Sequence, residues 1–158
     1  MADFHVICDP ANKKFKLDNS AFYLVAHADF QYHEDLSKIL AKYGMDRTTY
    51  SLLTVLREKS PVNIGELSES ALLKRSTASR AVERMRNDEW VKTTPDLKDS
   101  RTINVQLTNQ GRQALDKVIH LGSRQFQRAM AGLPSKELEQ FINTLHHIIG
   151  NLSRHPIE

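Results

Sequence analysis

Between residues 74 and 86 the chain sets five cations, Lys74, Arg75, Arg80, Arg84 and Arg86, against a single acid, Glu83. The 158-residue chain as a whole carries a formal charge of only +3, so the positive excess is concentrated in this segment. Ser76, Thr77 and Ser79 are interleaved with the cations. Cationic side chains meet phosphate oxygens, while arginine forks and short polar groups also read base edges. On a helix, Ala78, Ala81, Val82 and Met85 fall on one side, which leaves Ser76, Thr77 and Arg80 on the other. This pattern assigns Arg80 to a guanine edge and Arg75 and Arg84 to phosphate or base. Ser76, Thr77 and Ser79 are assigned to phosphates, bases or the water between them. A basic helix face alone is often only a solvated surface, so the assignment depends on the elements around it.

Other chemistries find less support. The single cysteine, Cys8, allows no intramolecular disulfide and no thiolate zinc site, and it suits a reducing compartment. Asp9 beside it disfavours the thiolate that a redox sensor needs, and redox sensing through Cys8 is kept as an alternative. His146 and His147 are adjacent on a helix and so point about 100° apart. His5, His27, His33 and His120 have no tight ligand spacing, so no metal or other cofactor is expected. The chain has no HExxH, no Gly-rich phosphate loop and no GxSxG, which argues against an enzyme. No apolar run approaches the roughly 18 residues a membrane span needs. Met1 to Asp18 lacks the pattern of a signal peptide. The expectation is a soluble cytoplasmic protein.

The elements that position the cations can be read from period and punctuation. Residues 1–17 read as an arm. A long helix is expected from an Asp18 cap to Tyr43, where Gly44 stops it, with Phe22, Val25, Tyr32, Leu36, Ile39 and Leu40 at helical spacing. A second helix follows Asp46 and ends at Lys59-Ser60-Pro61. A short helix over 63–70, a turn at Ala71-Leu72-Leu73 and a helix over 74–88 have the spacing of a helix-turn-helix. Residues 90–94 and 102–107 are β-prone and flank turn chemistry at Pro95 to Ser100, which makes a hairpin, or wing. Thr108 caps a helix of about 20 residues. A last helix from Ser135 carries Leu138, Phe141, Ile142, Leu145, Ile148, Ile149 and Leu152 at spacings of three and four. The fold class is mainly α with a small β-hairpin wing. Three regions are expected: an arm and dimerisation helix at 1–44, a winged helix-turn-helix at 45–107, and dimerisation helices at 108–158.

Five segments in order resemble the MarR/SlyA family: Leu52-Leu53-Thr54-Val55-Leu56, Ile64-Gly65-Glu66-Leu67, Arg75-Ser76-Thr77-Ala78-Ser79-Arg80, Asp96-Leu97-Lys98-Asp99-Ser100-Arg101 and Val105-Gln106-Leu107-Thr108-Asn109-Gln110-Gly111. The resemblance covers about residues 20–150. It implies a homodimeric regulator that binds a palindromic operator in double-stranded DNA and responds to a ligand or an oxidant. It also implies that Arg101 enters the minor groove, where narrow A·T-rich stretches attract a guanidinium. Asp99 would orient Arg101, and Lys98 would meet phosphate at the wing tip. One departure is visible. The family usually has glycine just after the recognition helix, where this chain reads Asn87-Asp88-Glu89-Trp90. A left-handed Glu89 would cost about 1 kcal/mol relative to glycine, and Asn87 or Asp88 is the alternative carrier.

Ligand pockets of the family lie between the first helix, the second helix and the helix after the wing. Tyr23, His27 and Phe30 form a separate stripe on the first helix, with His27 a donor to an anion. Arg47 is a candidate carboxylate clamp and Tyr50 a wall. The expected effector is a small aromatic carboxylate, such as a benzoate, a phenylpropenoate or indole acetate. A winged-helix module that binds proteins and not DNA is the remaining alternative, and the recognition-helix cations argue against it.

Overall fold

The computed structural model describes residues 4–96 and 102–154, with side chains from Val6 onward. The chain forms two compact units, Met1–Gly122 and Ser123–Glu158. The first turns of the helix after the wing contribute Leu115, Val118 and Leu121 to the core of the larger unit.

The first unit opens with a short helix, α1 (Phe4–Cys8), in the region the sequence reads as an arm. Asp18 does not cap the long helix. It sits in a 3-10 turn (Leu17–Asn19), and the Ser20 hydroxyl accepts the Tyr23 amide at the start of α2 (Ala21–Leu40). A second 3-10 turn ends at Gly44, whose φ of 69° needs no Cβ to be accommodated. Asp46 caps α3 (Arg47–Glu58) through the Thr49 amide at 2.7 Å. Asn63 does the same for α4 (Ile64–Ser70) through the Glu66 amide. The recognition helix, α5 (Arg75–Asn87), follows.

The wing is part of a three-stranded antiparallel sheet. Strand β1 (Val62–Asn63) pairs with β3 (Ile103–Leu107), which pairs on its other side with β2 (Val91–Pro95). The sequence reading missed β1, because two residues show no alternation and their partners, Val105 and Asn104, are distant in sequence. Leu52, Leu53 and Leu56 from α3 meet Leu67 from α4 and Ala78, Val82 and Met85 from α5 in the core. Val91 and Val105 cover this cluster from the sheet. Truncating any one of these leucines to alanine costs about 2–5 kcal/mol.

The recognition helix ends on Glu89, which takes the left-handed conformation itself at φ 58°. Its amide donates to the Arg86 carbonyl and the Trp90 amide to Met85, the paired bonds of a Schellman termination. The join to α6 (Asn109–Ala129) is tight. The Thr108 hydroxyl lies 2.7 Å from the Glu89 carbonyl and 3.0 Å from that of Trp90, and it accepts the Gly111 amide at 3.0 Å. A Cβ on Gly111 would stand 2.1 Å from the Trp90 carbonyl oxygen, so only glycine fits.

The second unit holds the end of α6 and α7 (Ser135–Arg154). No residue of α7 is buried, and Phe141, Ile142, Ile149 and Leu152 are exposed on it.

Candidate nucleic-acid interface and effector cleft

Helix α5 buries Ala78, Ala81, Val82 and Met85. That burial fixes the roll of the helix and turns Arg75, Ser76, Thr77, Ser79, Arg80 and Arg84 toward solvent. Its cations fall into two sets. Arg84 reaches back to Asp46 at 2.7 Å, and Arg86 pairs with Glu83. Among the described residues Lys74, Arg75 and Arg80 make no ion pair, so the uncommitted positive charge lies at the N-terminal end of the helix. That end is also where the short side chains Ser76, Thr77 and Ser79 leave room for close approach to a groove.

Asp46 is pulled in opposite directions. Partial burial raises its pKa, but the Thr49 amide and hydroxyl and the Arg84 guanidinium stabilise the carboxylate more. The net result is a group below its ordinary range. The wing is built as an even ladder from Val91 opposite Leu107 to Pro95 opposite Ile103. The Asp96 amide donates to the Thr102 carbonyl, and the Asn104 amide group donates to the Asp96 carboxylate at 2.8 Å. Lys98, Asp99 and Arg101 lie outside the described residues.

A cleft of about 440 Å³ opens between α2, α3 and the α4–α5 turn. Arg47 and Tyr50 line it, and so do Asp29 and His33. The Arg47 guanidinium donates to both Asp29 oxygens, at 3.1 and 3.3 Å, and the His33 Nε2 is 3.3 Å from the same carboxylate. Burial and the nearby Arg47 charge lower the His33 pKa, and Asp29 only partly offsets them. Phe30 faces a neighbouring shallow depression with His33, Glu34 and Arg47. The Tyr23 and His27 rings lie tilted to each other, centroids 5.8 Å apart, on an exposed face of α2 and do not line the cleft. Sequence reasoning passed over Asp29 and weighed His33 only as a metal ligand, although an acid and a histidine four residues apart on a helix are neighbours.

Among the described residues no helix is long and apolar enough to cross a membrane, and no cluster of three or more His, Cys, Asp or Glu residues can hold a metal ion. An apolar-backed helix with a cationic, small-residue outer face, followed by a β-wing, defines a winged helix-turn-helix DNA-binding protein. Residues 43–102 match the MarR family model. Over that segment the chain is similar to the MarR family of DNA-binding transcriptional regulators. It is 29% identical over 144 residues to the HTH-type transcriptional repressor IacR of Pseudomonas putida, across 91% of this chain and 86% of that protein. A MarR-family regulator from Silicibacter pomeroyi superposes with a TM-score of 0.82 at 27% identity, covering 89% of this chain and 95% of that one. BpsR of Bordetella bronchiseptica, whose DNA binding is regulated by 6-hydroxynicotinic acid, superposes with a TM-score of 0.75 at 16% identity, covering 85% and 96%.

Proposed function

We propose that the protein is a cytoplasmic homodimeric repressor, not an enzyme, that reads a palindromic operator and releases it when a small aromatic carboxylate enters the cleft at Arg47. The observation that carries this reading is the exposed set Arg75, Ser76, Thr77, Ser79 and Arg80, whose arginines make no ion pair among the described residues, on a helix whose roll is fixed by core packing. Arg80 reads a base edge. Arg75, the serines and Thr77 position the helix on phosphate and base. Lys98 and Arg101, aligned by Asp99, carry the wing contacts.

Residues 45–107 bind DNA in this reading, and residues 1–44 and 108–158 dimerise. The larger unit exposes Phe22, Val25 and Phe30 on α2. The smaller exposes Phe126, Phe141, Ile142, Ile149 and Leu152. Large apolar residues left to water along helices support an association surface. A dimer places two recognition helices about one DNA turn apart, near 34 Å.

The effector reading rests on Arg47, whose fork suits a carboxylate, in the lining of a cleft that Tyr50 also lines. Tyr23, His27 and Phe30 belong to the same proposal as a second aromatic surface on α2. BpsR, similar in fold, answers to an aromatic acid. The test is a gel shift with DNA flanking the gene, repeated with benzoate, cinnamate and indole-3-acetate, beside light scattering at micromolar concentration. A retarded band, its loss with an acid, and a dimeric mass are expected. A monomeric mass or no retarded band overturns the reading.

A further inference from the structure

The turn between α4 and α5 holds a leucine that local stability does not favour. Leu72 has a left-handed backbone, φ 55°, and its side chain is 93% exposed. The Leu72 amide donates to the Glu69 carbonyl at 3.0 Å and the Leu73 amide to Ser68 at 2.8 Å. These are the paired bonds of a Schellman termination, whose left-handed residue is usually glycine. Gly44 fills that role at the end of the 3-10 turn that follows α2, with the same pair of bonds. A leucine there carries the steric cost of its Cβ, and with its side chain in water it recovers nothing by burial. Such outliers persist where function uses them.

The surroundings of Leu72 say what that use is. It lines the same cleft as Arg47, His33 and Tyr50, at the end formed by the turn. Leu73 and Val55 line the cleft too, so apolar side chains share its wall with the charged Arg47. Leu72 also stands three residues before Arg75, where the recognition helix begins.

We propose that Leu72 is the apolar clamp of the cleft. It closes on the ring of an aromatic acid whose carboxylate Arg47 holds, and the movement of the turn re-aims the recognition helix. This rests on the effector reading above. Contact with a ring gives Leu72 the burial that the described residues do not provide. A ligand shifts an equilibrium only by binding one state better than the other, and closure of Leu72 supplies that difference. Acetate, which reaches Arg47 without touching Leu72, therefore leaves the operator complex intact.

The test uses the full-length protein with benzoate, cinnamate, indole-3-acetate and acetate, followed by calorimetric binding and by operator gel shift. The variants are Leu72→Gly, Leu72→Met and Arg47→Ala. Leu72→Gly relieves the backbone and is expected to raise Tm by roughly a few degrees. It keeps operator affinity within about twofold and needs at least about tenfold more aromatic acid for release, within the usual range of coupling. Leu72→Met keeps a flexible apolar side chain and restores the response. If Leu72→Gly responds at wild-type acid concentrations, or lowers Tm, the clamp is overturned while loss of binding in Arg47→Ala leaves the effector reading standing. If Arg47→Ala binds every acid as the wild type does, or no acid binds the wild type, the effector reading fails and the clamp falls with it.

Discussion

Asp46 and Arg84 meet at 2.7 Å, which ties the first turn of α3 to the outer face of the recognition helix. The other oxygen of the same carboxylate caps α3 through Thr49. The two duties separate by substitution. Asp46→Ala loses both and is expected to cost about 1 kcal/mol, chiefly the cap. Asp46→Asn keeps a capping oxygen and loses the charge. Because the ion pair is half exposed, it is expected to cost under about 0.5 kcal/mol. Urea unfolding of the two variants measures this. Equal losses would mean that the ion pair, and not the cap, carries the stabilisation.

The same group and His33 are expected to contribute to the acid limb of stability. Both have folded pKa values below their ordinary ones. A depressed value means that the unfolded chain binds the proton first as pH falls, so both contributions are present at high pH and lost on acidification. His33 loses its share as pH falls below about 6.5, and Asp46 as pH falls below about 4. The expected Tm profile therefore declines in two steps from pH 8 to pH 3. His33→Gln should remove the upper step only, and an unchanged upper step in that variant would assign it elsewhere.

Two glycines predict opposite kinds of damage. A Cβ on Gly111 meets the Trp90 backbone carbonyl, which cannot move without breaking the join between β2 and α6. A Cβ on Gly122 meets the Tyr50 hydroxyl at 2.3 Å, the far end of a side chain that can rotate. Gly111→Ala should destabilise by about 1–3 kcal/mol, the usual cost of overpacking. Gly122→Ala should cost less and instead disturb the cleft that Tyr50 lines, seen as weaker binding of an aromatic acid. A Gly111→Ala protein with wild-type Tm would contradict the first half, and unchanged acid binding in Gly122→Ala the second.

What the sequence revealed and what it hid divide along local and distant causes. Asp46, Asn63 and Thr108 announce helix starts because each caps a backbone amide three residues on. The buried face of α5 is legible for the same reason, since its period is a property of one helix. Asp18 misled because Ser20, two residues later, is an equally good cap and wins. Strand β1 stayed hidden because Val62 becomes strand only by pairing with Val105. The Asp29–Arg47 contact joins α2 to α3 across 18 residues, and no spacing rule reports it. Leu72 gave no sign at all, since a leucine in a left-handed turn looks in sequence like any leucine.

The division of labour on DNA is testable from the geometry of α5. Arg80 is exposed beside Ser76, Thr77 and Ser79 and free of ion pairs among the described residues. Arg80→Ala should cost about 1–3 kcal/mol on the operator and relax the preference at one base pair. Lys98→Ala should weaken binding evenly across sequences and lower the salt dependence by about one ion. Titrations of operator and random DNA at two salt concentrations compare them. Equal losses on both DNAs for Arg80→Ala would place it on phosphate alone.

Asp29 occupies the group an anionic effector would need. Its two oxygens take the Arg47 guanidinium at 3.1 and 3.3 Å, so an incoming carboxylate competes with one already in place. Removing that competitor should favour the ligand. Asp29→Asn is expected to bind benzoate or indole-3-acetate about five- to tenfold more tightly, a change of about 1–1.4 kcal/mol. Arg47→Ala should lose binding while retaining operator affinity, because Arg47 lies on α3 and not on the recognition helix. The two variants also separate a role for charge from one for packing. Both dissolve the same half-exposed ion pair, whose contribution to stability is small, so their Tm values should fall together by little. Their acid affinities should move in opposite directions. If both variants bind the acid more weakly, the Asp29–Arg47 pair shapes the cleft as a unit, and the carboxylate is not held by Arg47.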